Sequence, residues 1–370
     1  MKKNASQKIR YAVVGLGYIS QAAVLPAFRH AARNSELAAL VSDDPVKLRQ
    51  LGKKYSVSRL YSYADYEDCL RSGEVDAVYL ALPNNLHCEY SVRAAEAGIH
   101  VLCEKPMATT VEECRKMIAA AEGGRVKLMV AYRLFFERAY LKAVATARSG
   151  KLGDLRIFNS LFGMQVKVGN SRLQKKLGGG TLYDLGIYCI NAARNLFGCE
   201  PMEVFAISAN NGEKRFREVD EMTGAVLRFP GERLATFVSS FGSADVSAFE
   251  IVGAKKSLIV EKAYEMVEGK THKLKRELKE HSTRFPKGDQ FSPELSYFSE
   301  CIQKNRDPEP GGAEGLADVR VIEALYFSAQ SGKSVSLQPL EKESEPDPDL
   351  ARHRPPVAKP KLVHAQAPGA

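Results

Sequence analysis

Short apolar segments alternate with amphipathic segments along the first 131 residues of the chain. Continuous apolar runs favour strands that are buried on both faces, and the segments between them have the apolar spacing of helices. The predicted strands are Ile9–Gly17, Leu37–Ser42, Ala77–Leu82, His100–Cys103 and Val126–Ala131. The predicted helices are Ile19–Arg33, Pro45–Tyr55, Tyr63–Arg71, Leu86–Ala97 and Val111–Glu122. This alternation predicts an α/β domain with a doubly wound parallel sheet.

After Phe136 the apolar positions alternate with polar ones over longer segments. The predicted strands are Asp154–Leu161, Val204–Ala209, Met222–Phe229, Arg233–Ser240, Ala248–Val252 and Ser257–Val260. The predicted helices are Glu137–Arg148, Thr181–Phe197 and Gly315–Ser331. Alternation is typical of a sheet with one exposed face, so we expect an α+β domain with a large, open, mostly antiparallel sheet.

The periodicity divides the chain of 370 residues into three parts. We predict a first domain over 1–132, a second domain over 133–340, and a disordered tail over 341–370. The last thirty residues contain six prolines and few apolar side chains. Such a composition does not bury enough apolar surface to offset the entropy of ordering.

Composition and charge exclude several classes of protein. The formal net charge of +9 is spread thinly, without a basic stripe that carries interleaved aromatic residues, so we expect no nucleic-acid partner. No apolar run has the length of a membrane span, and the basic N-terminus is not followed by the apolar stretch of a secretory signal. We therefore expect no membrane association and a cytoplasmic location. The seven cysteines form no CxxC pair, and neither cysteines nor histidines have metal-ligand spacing, so no disulfide framework and no metal site are predicted.

A glycine-rich turn follows the first predicted strand and opens the first predicted helix. Gly15 allows a tight turn, and Gly17 lets the backbone approach a phosphate group at the helix N-terminus. Ser20 replaces the third glycine of the usual GxGxxG pattern and is small enough for close packing of helix and strand. We predict a dinucleotide-binding Rossmann domain.

The end of the second strand bears on the choice between NAD and NADP. An acidic residue at this point binds the ribose of NAD, whereas this chain has Ser42, with Lys47 in the first turn of the next helix. A hydroxyl and a lysine suit a 2′-phosphate, so NADP is the predicted cofactor. Asp43, if it turned inward, would favour NAD instead.

Two further segments carry candidate chemistry. Lys105 lies between Glu104 and Pro106 at the carboxyl end of a parallel strand, where ligands bind to open α/β sheets. Burial there would make its ammonium group an effective acid or hydrogen-bond donor. Asp184 and Tyr188 are four residues apart on one face of an apolar helix. A buried aspartate requires a partner, and we expect Lys105 of the other domain to supply it.

These residues resemble the Gfo/Idh/MocA family of NAD(P)-dependent oxidoreductases, and most closely its glucose–fructose oxidoreductase and sugar dehydrogenase branch. Glu-Lys-Pro at 104–106 and GGGxLxDxGxY at 178–188 carry the resemblance, which covers residues from about 8 to 338. Leu-Val-Ser before a downstream lysine, Leu-Pro-Asn at 82–84 and Asp-Gln-Phe at 289–291 are similar to that branch. The chain departs from it in lacking an export signal and in having the long tail.

The resemblance implies roles for individual residues. The implied pyrophosphate and 2′-phosphate contacts are Gly15, Gly17, Tyr18, Ile19, Ser42 and Lys47. The implied neighbours of the nicotinamide half are Pro83, Asn84, His87 and Glu104, with a cis bond between Lys105 and Pro106. Arg133 would lie where cofactor and substrate approach each other. Lys105, Asp184 and Tyr188 match the catalytic set of the family.

We therefore predict an NADP-dependent oxidoreductase that transfers a hydride between nicotinamide and a hydroxyl or carbonyl group of a sugar or sugar-like substrate. Tyr188 would exchange the proton, Lys105 would orient and polarise the substrate group, and Asp184 would hold their geometry. Two alternatives stay open: an oxidoreductase of trans-diols or non-sugar carbonyl compounds, and a catalytically silent regulatory protein that binds the cofactor. The open sheet predicts a homodimer or homotetramer.

Overall fold

The computed structural model describes residues 8–266, 268–342, 346–358 and 360–369. Its first sheet contains strands β1 (Ile9–Val14), β2 (Ser35–Val41), β3 (Arg59–Tyr61), β4 (Ala77–Leu80), β5 (His100–Glu104) and β6 (Leu128–Ala131). The helices between them are α1 (Leu25–Ala31, preceded by a π turn at Ser20–Val24), α2 (Pro45–Tyr55), α3 (Tyr66–Arg71), α4 (His87–Glu96) and α5 (Val111–Gly123). The strand order is β3-β2-β1-β4-β5-β6, and all of these pairs are parallel.

The second part of the chain forms one large sheet and four helices within the described residues. The helices are α6 (Arg138–Arg148), α7 (Ile187–Phe197, preceded by a π turn at Leu182–Gly186), α8 (Phe291–Gln303) and α9 (Gly312–Ser331). The strands are β7 (Leu155–Gln165), β8 (Glu203–Ala209), β9 (Met222–Phe229), β10 (Arg233–Ser240), β11 (Gly242–Gly253), β12 (Ser257–Glu261), β13 (Lys270–Arg276), β14 (Lys279–Phe285) and β15 (Val335–Ser336). Short 3-10 turns lie at Asn84–Leu86, Arg133–Phe136, Ser171–Leu173, Lys175–Leu177, Lys214–Phe216 and Pro348–Leu350.

The nine strands of the second sheet have the order β14-β13-β12-β11-β7-β10-β9-β8-β15. Every pair except β7 with β10 is antiparallel. The predicted fold class, a doubly wound parallel domain followed by a domain with a mostly antiparallel sheet, is confirmed. The cis bond between Lys105 and Pro106 and the capping box of Thr110 and Glu113 on α5 are also present.

The large sheet is covered on one face and open on the other. Along β7, Phe158 and Ser160 are buried under α7, whereas Ile157 and Leu161 point to the opposite face and are 49% and 41% exposed. The inner face therefore holds the core of the second domain, and it fixes α7 above the sheet.

Five of these elements were not predicted from the sequence: β3, β13, β14, β15 and α8. Strands β13 and β14 form an edge hairpin in which almost every residue of β14 is exposed, so no apolar alternation marks it. Helix α8 has Pro293 in its first turn, where its missing N–H breaks no helical hydrogen bond, and it packs against α1. The segment before α8 contains charges of both signs, so apolar spacing indicates neither the hairpin nor the start of α8.

Parts of the segment predicted to be a disordered tail contact the body of the protein. Arg352 pairs with Glu300 at 2.6 Å, and the backbone of Val363 binds the side chain of Gln21 through two hydrogen bonds. The disorder predicted for 341–370 stays a prediction. The boundaries predicted at residues 132 and 340 stay predictions. In the described part of the chain, no helix is long and apolar enough to cross a membrane.

A buried ionic cluster anchors α7 to α9. The guanidinium of Arg194, which is 1% exposed, contacts Glu200 at 2.6 Å, Glu314 at 3.0 Å and Asp318. Burial raises the pKa of Asp318 to about 6 although the positive charge of Arg194 opposes this shift. The stability of the cluster therefore depends on Arg194, because without it these three buried carboxyl groups would lose their main counter-charge.

Replacing Arg194 should destabilise the fold strongly. We expect Arg194→Met to lower the free energy of unfolding by about 3 kcal/mol or more, since one side chain neutralises several buried acids. The matched control is Arg228→Met, which removes a half-exposed pair with Glu203 and should cost less than about 1 kcal/mol. Urea unfolding followed by circular dichroism measures both, and equal midpoints for the two variants would contradict the prediction.

Candidate active site

The turn between β1 and α1 has the shape that a dinucleotide requires. Gly15 has a φ of 90°, and a Cβ placed on it would lie 2.5 Å from the carbonyl oxygen of Ala81, so the turn approaches the end of β4 more closely than any side chain allows. A Cβ on Gly17 would meet no atom within 4 Å, so the space above this residue is open. Tyr18 and Ile19 continue from it as half-buried residues. These residues fit a pyrophosphate group beside the helix N-terminus.

The loop after β2 lies on the neighbouring part of this edge. Ser42 is buried, and its hydroxyl accepts a hydrogen bond from the backbone N–H of Asp44 at 3.2 Å. Asp44 caps α2 by accepting hydrogen bonds from the backbone of Val46 and Lys47. The carboxylate of Asp43 instead accepts from the backbone N–H of Tyr63 at 2.8 Å. One oxygen of the Asp43 carboxylate is therefore held by the loop after β3.

Lys105 and Asp184 meet across the boundary between the two domains. The ammonium of Lys105, at the carboxyl end of β5, donates to the backbone oxygen of Asp184 at 2.8 Å and to its Oδ1 at 3.1 Å. Both side chains are nearly buried, at 13% and 14% exposure. An ammonium group has three donors, so two of them are held by Asp184 and one is left for another acceptor.

Arg172 completes this group, and the sequence analysis missed it. Its Nε donates to Oδ2 of Asp184 at 2.6 Å, so the carboxylate is held between two cations. Burial opposes ionisation of Asp184, but the charges of Arg172 and Lys105 and their hydrogen bonds outweigh it and hold the pKa of Asp184 well below its usual value. Arg172 lies in the short 3-10 turn Ser171–Leu173. A turn of this length has no periodicity that would indicate which side chains face the site.

Tyr188 lies beside the same ammonium group. The Nζ of Lys105 is 4.8 Å from the centre of the Tyr188 ring, and the guanidinium of Arg133 is 5.0 Å from it. The Nε of Arg133 donates to the Tyr188 hydroxyl at 3.1 Å. Because the phenol oxygen accepts this bond, its own proton remains available for a different acceptor. A π turn precedes the helix that carries Tyr188, a feature often found at functional sites.

Arg133 itself is buried and oriented by the second domain. Its Nη1 donates to the side chain of Gln290 at 2.6 Å, and its Nη2 donates to the backbone oxygen of Tyr264. The resemblance placed Arg133 at the approach of cofactor and substrate, and the structure places its guanidinium on Tyr188. Gln290 belongs to the Asp-Gln-Phe segment that the sequence analysis noted without a role.

The remaining predicted residues surround Lys105. Glu104 is partly buried and accepts a hydrogen bond from the Tyr79 hydroxyl at 2.8 Å, and desolvation raises its pKa despite the nearby charge of Lys105. Asn84 donates to the backbone oxygen of Gly178 at 2.8 Å and so ties the first domain to the triple-glycine segment. Pro83 precedes it at the end of the loop after β4.

His87 is fully buried between two loops of the site. Its ring nitrogens lie 2.8 Å from the backbone oxygen of Pro106 and 3.0 Å from that of Leu82. Burial lowers its pKa although both carbonyl groups favour the charged form. The ring therefore links these two loops, and its place beside the nicotinamide half stays a prediction. Among the described residues, no group of three acidic, histidine or cysteine side chains could hold a metal ion.

Two family models match the chain. The model of the GFO/IDH/MocA oxidoreductase family with an NAD-binding Rossmann fold matches residues 9–132. The model of the GFO/IDH/MocA C-terminal domain matches residues 140–259. Together they cover more than half of the chain.

Individual proteins are similar over most of their length. The uncharacterized oxidoreductase ORF334 of Rhizobium meliloti is 32% identical over 335 residues, which are 88% of this chain and 98% of that protein. The NADP(+)-dependent D-xylose 1-dehydrogenase of Haloarcula marismortui is 29% identical over 89% of this chain and 93% of its own. The crystal structure of the aldose-aldose oxidoreductase of Caulobacter crescentus with glycerol has a TM-score of 0.85 and 37% identity, and the match covers 90% of this chain and 100% of that one.

Proposed function

The chain belongs to the GFO/IDH/MocA oxidoreductase family, and from this premise we propose that it is an NADP-dependent oxidoreductase of a sugar or sugar-like compound. The observation that carries the proposal is the contact of Lys105 from one domain with Asp184 and Tyr188 from the other. An ammonium group and a phenol at the carboxyl edge of a dinucleotide-binding sheet suit proton transfer to or from a CH–OH group.

Each residue of this group has a distinct part in the proposed reaction. When bound, NADP accepts a hydride at its nicotinamide ring and NADPH donates one. Tyr188 donates its proton to a carbonyl oxygen during reduction and takes the proton back during oxidation. Lys105 uses its third N–H to hold the same substrate oxygen, and Asp184 keeps the ammonium in place through two hydrogen bonds. Arg133 fixes the direction of the Tyr188 hydroxyl.

Residues of the first domain hold the cofactor in this proposal. The turn from Gly15 to Ile19 takes the pyrophosphate, Ser42 and Lys47 take the 2′-phosphate, and Pro83, Asn84 and Glu104 adjoin the nicotinamide half. The open space beside Gly17 and the hydrogen bond that holds one oxygen of Asp43 to the Tyr63 backbone support this assignment. The NADP(+) dependence of the xylose dehydrogenase from Haloarcula marismortui agrees with it.

We also propose that the protein assembles as a homodimer or homotetramer through the open face of its second sheet. Apolar side chains on this face include Ile207, which is 64% exposed, and Leu234, which is 44% exposed. Such a contiguous apolar surface is typical of an interface. A cytoplasmic location stays a prediction.

Removing the ammonium or the phenol should abolish most of the turnover. We expect Lys105→Met and Tyr188→Phe each to lower kcat by about 10²–10⁴-fold, the usual contribution of a positioned proton donor. Binding of NADPH, followed by its fluorescence, should stay nearly unchanged. Lys116→Met, which removes an exposed lysine of α5, is the matched control and should keep wild-type turnover.

The assay is a panel of aldoses, trans-diols and simple carbonyl compounds with NADP and NAD, followed at 340 nm. Turnover of an aldose supports the proposed substrate class, and turnover of trans-diols or non-sugar carbonyls alone would replace it. Cofactor binding without any turnover would favour the silent regulatory protein. Unchanged kcat in Lys105→Met would remove Lys105 from the mechanism.

A carboxylate at the end of β2 should reverse the cofactor preference. We expect Ser42→Asp to lower the ratio of kcat/KM for NADP to that for NAD by at least about tenfold, since the new charge repels a 2′-phosphate at short range. Gln50→Asp places the same charge on the exposed side of α2 and serves as the control. A ratio that changes equally in both variants would argue against a 2′-phosphate contact at Ser42.

A further inference from the structure

The segment 360–369, here called the strap, runs along the edge of the sheet that carries the glycine turn. Its strongest attachment is Gln21, a buried side chain in the π turn before α1. The Gln21 amide donates to the backbone oxygen of Val363 at 2.9 Å and accepts from the backbone N–H of Val363 at 2.8 Å. The same amide nitrogen donates to the backbone oxygen of Leu16, which lies between the two glycines of the turn. The strap is therefore bonded directly to the side chain that braces the glycine turn.

The next residue of the strap reaches the loop after β2. The imidazole Nδ1 of His364 lies 2.9 Å from Oδ2 of Asp44, the residue that caps α2 and bonds Ser42. Val363 and His364 thus contact both loops that border the adenosine half of a dinucleotide in a Rossmann domain.

The strap then crosses to the second domain. The backbone oxygen of Pro368 accepts a hydrogen bond from the N–H of Lys167, just after β7, at 3.2 Å. Pro368 is four positions after His364, a span of at most about 14 Å. A single short segment therefore connects the nucleotide edge of the first domain with a loop of the second.

The strap borders the cofactor position without filling it. A Cβ on Gly17 would meet no atom within 4 Å, so no strap atom lies within that distance of it. The sequence from 352 to 364 contains six basic residues and no acidic one. Of these, His364 contacts Asp44 in the loop after β2, and Arg352 is paired with Glu300 on α8. Four prolines between residues 355 and 368 limit the freedom of the unbound segment and so reduce the entropic cost of ordering it.

We propose that the strap is part of the cofactor site: it closes over the adenosine and pyrophosphate half of NADP in the same subunit and retains the cofactor between turnovers. This inference rests on the proposed function only in that the bound dinucleotide is NADP. It adds Val363, His364 and Pro368 to the residues that govern cofactor binding. The consequence is slow release of NADP, because the strap must detach before the cofactor leaves.

The experiment measures the dissociation rate of NADPH by stopped-flow fluorescence in the full chain and three variants. Deletion of residues 360–370 removes the strap. Val363→Pro removes only the backbone N–H that donates to Gln21, and proline is already common in this segment. Gln366→Ala, on an exposed strap residue, is the control. We expect the deletion to accelerate release about tenfold or more, Val363→Pro to accelerate it less, and the control to match the wild type.

Hydrogen exchange supplies a readout that does not depend on catalysis. The peptide covering 360–369 should exchange slowly and become further protected when NADPH is added, and Val363→Pro should remove this protection. Unchanged release rates in both strap variants would overturn the proposal. Slower release or tighter NADPH binding in the deletion would also overturn it, because the strap would then compete with the cofactor. Failure of every sugar in the substrate panel, with NADPH retention still dependent on the strap, would contradict only the proposed function.

Discussion

The arrangement of the whole site depends on one carboxylate, that of Asp184, held between Lys105 and Arg172. Lys105 belongs to the first domain and the other two residues to the second, so this contact fixes how the domains face each other. Both Lys105 and Asp184 are nearly buried, and an isolated charge there would be costly. Each of these two groups has its counter-charge only when the domains are in contact. The same contact that satisfies the buried charges therefore also sets the geometry of the proposed catalysis.

Tyr188 gains its position from the same constraint. Its ring lies against Lys105, and its hydroxyl accepts a hydrogen bond from Arg133. Arg133 is itself bound by Gln290, at the start of α8, so three separate elements of the second half determine where the phenol points. The buried cluster around Arg194 holds the far end of the same helix against α9. Tyr188 is thus on a helix that is held at both ends, which suits the preorganised proton donor that we propose.

Features that depend on a local sequence pattern could be located from the sequence. The glycine turn, Lys105 at the end of its strand and the pair of Asp184 and Tyr188 follow from strand ends, helical spacing and the cost of a buried charge. Arg172 could not be predicted, because its loop has no period and its partner lies twelve residues away. The hairpin of β13 and β14 was missed for a related reason. Almost all of β14 is exposed, and the buried positions of β13 are the polar residues Lys270 and His272, so no apolar alternation marks either strand.

The contacts of 360–369 illustrate a third limit, since composition does not indicate which specific hydrogen bonds a polar segment makes. In the proposal for the strap, these bonds also govern how a cofactor enters. Opening the cleft by separating the domains would break the buried contact of Lys105 with Asp184, which costs several kcal/mol when a buried charge loses its partner. Releasing hydrogen bonds such as that from the Val363 N–H to the Gln21 side chain costs about 1 kcal/mol each, because water replaces them. Detachment of the strap leaves the contact of Lys105 with Asp184 intact, so the domains can remain closed around the proposed catalytic group while the cofactor enters or leaves.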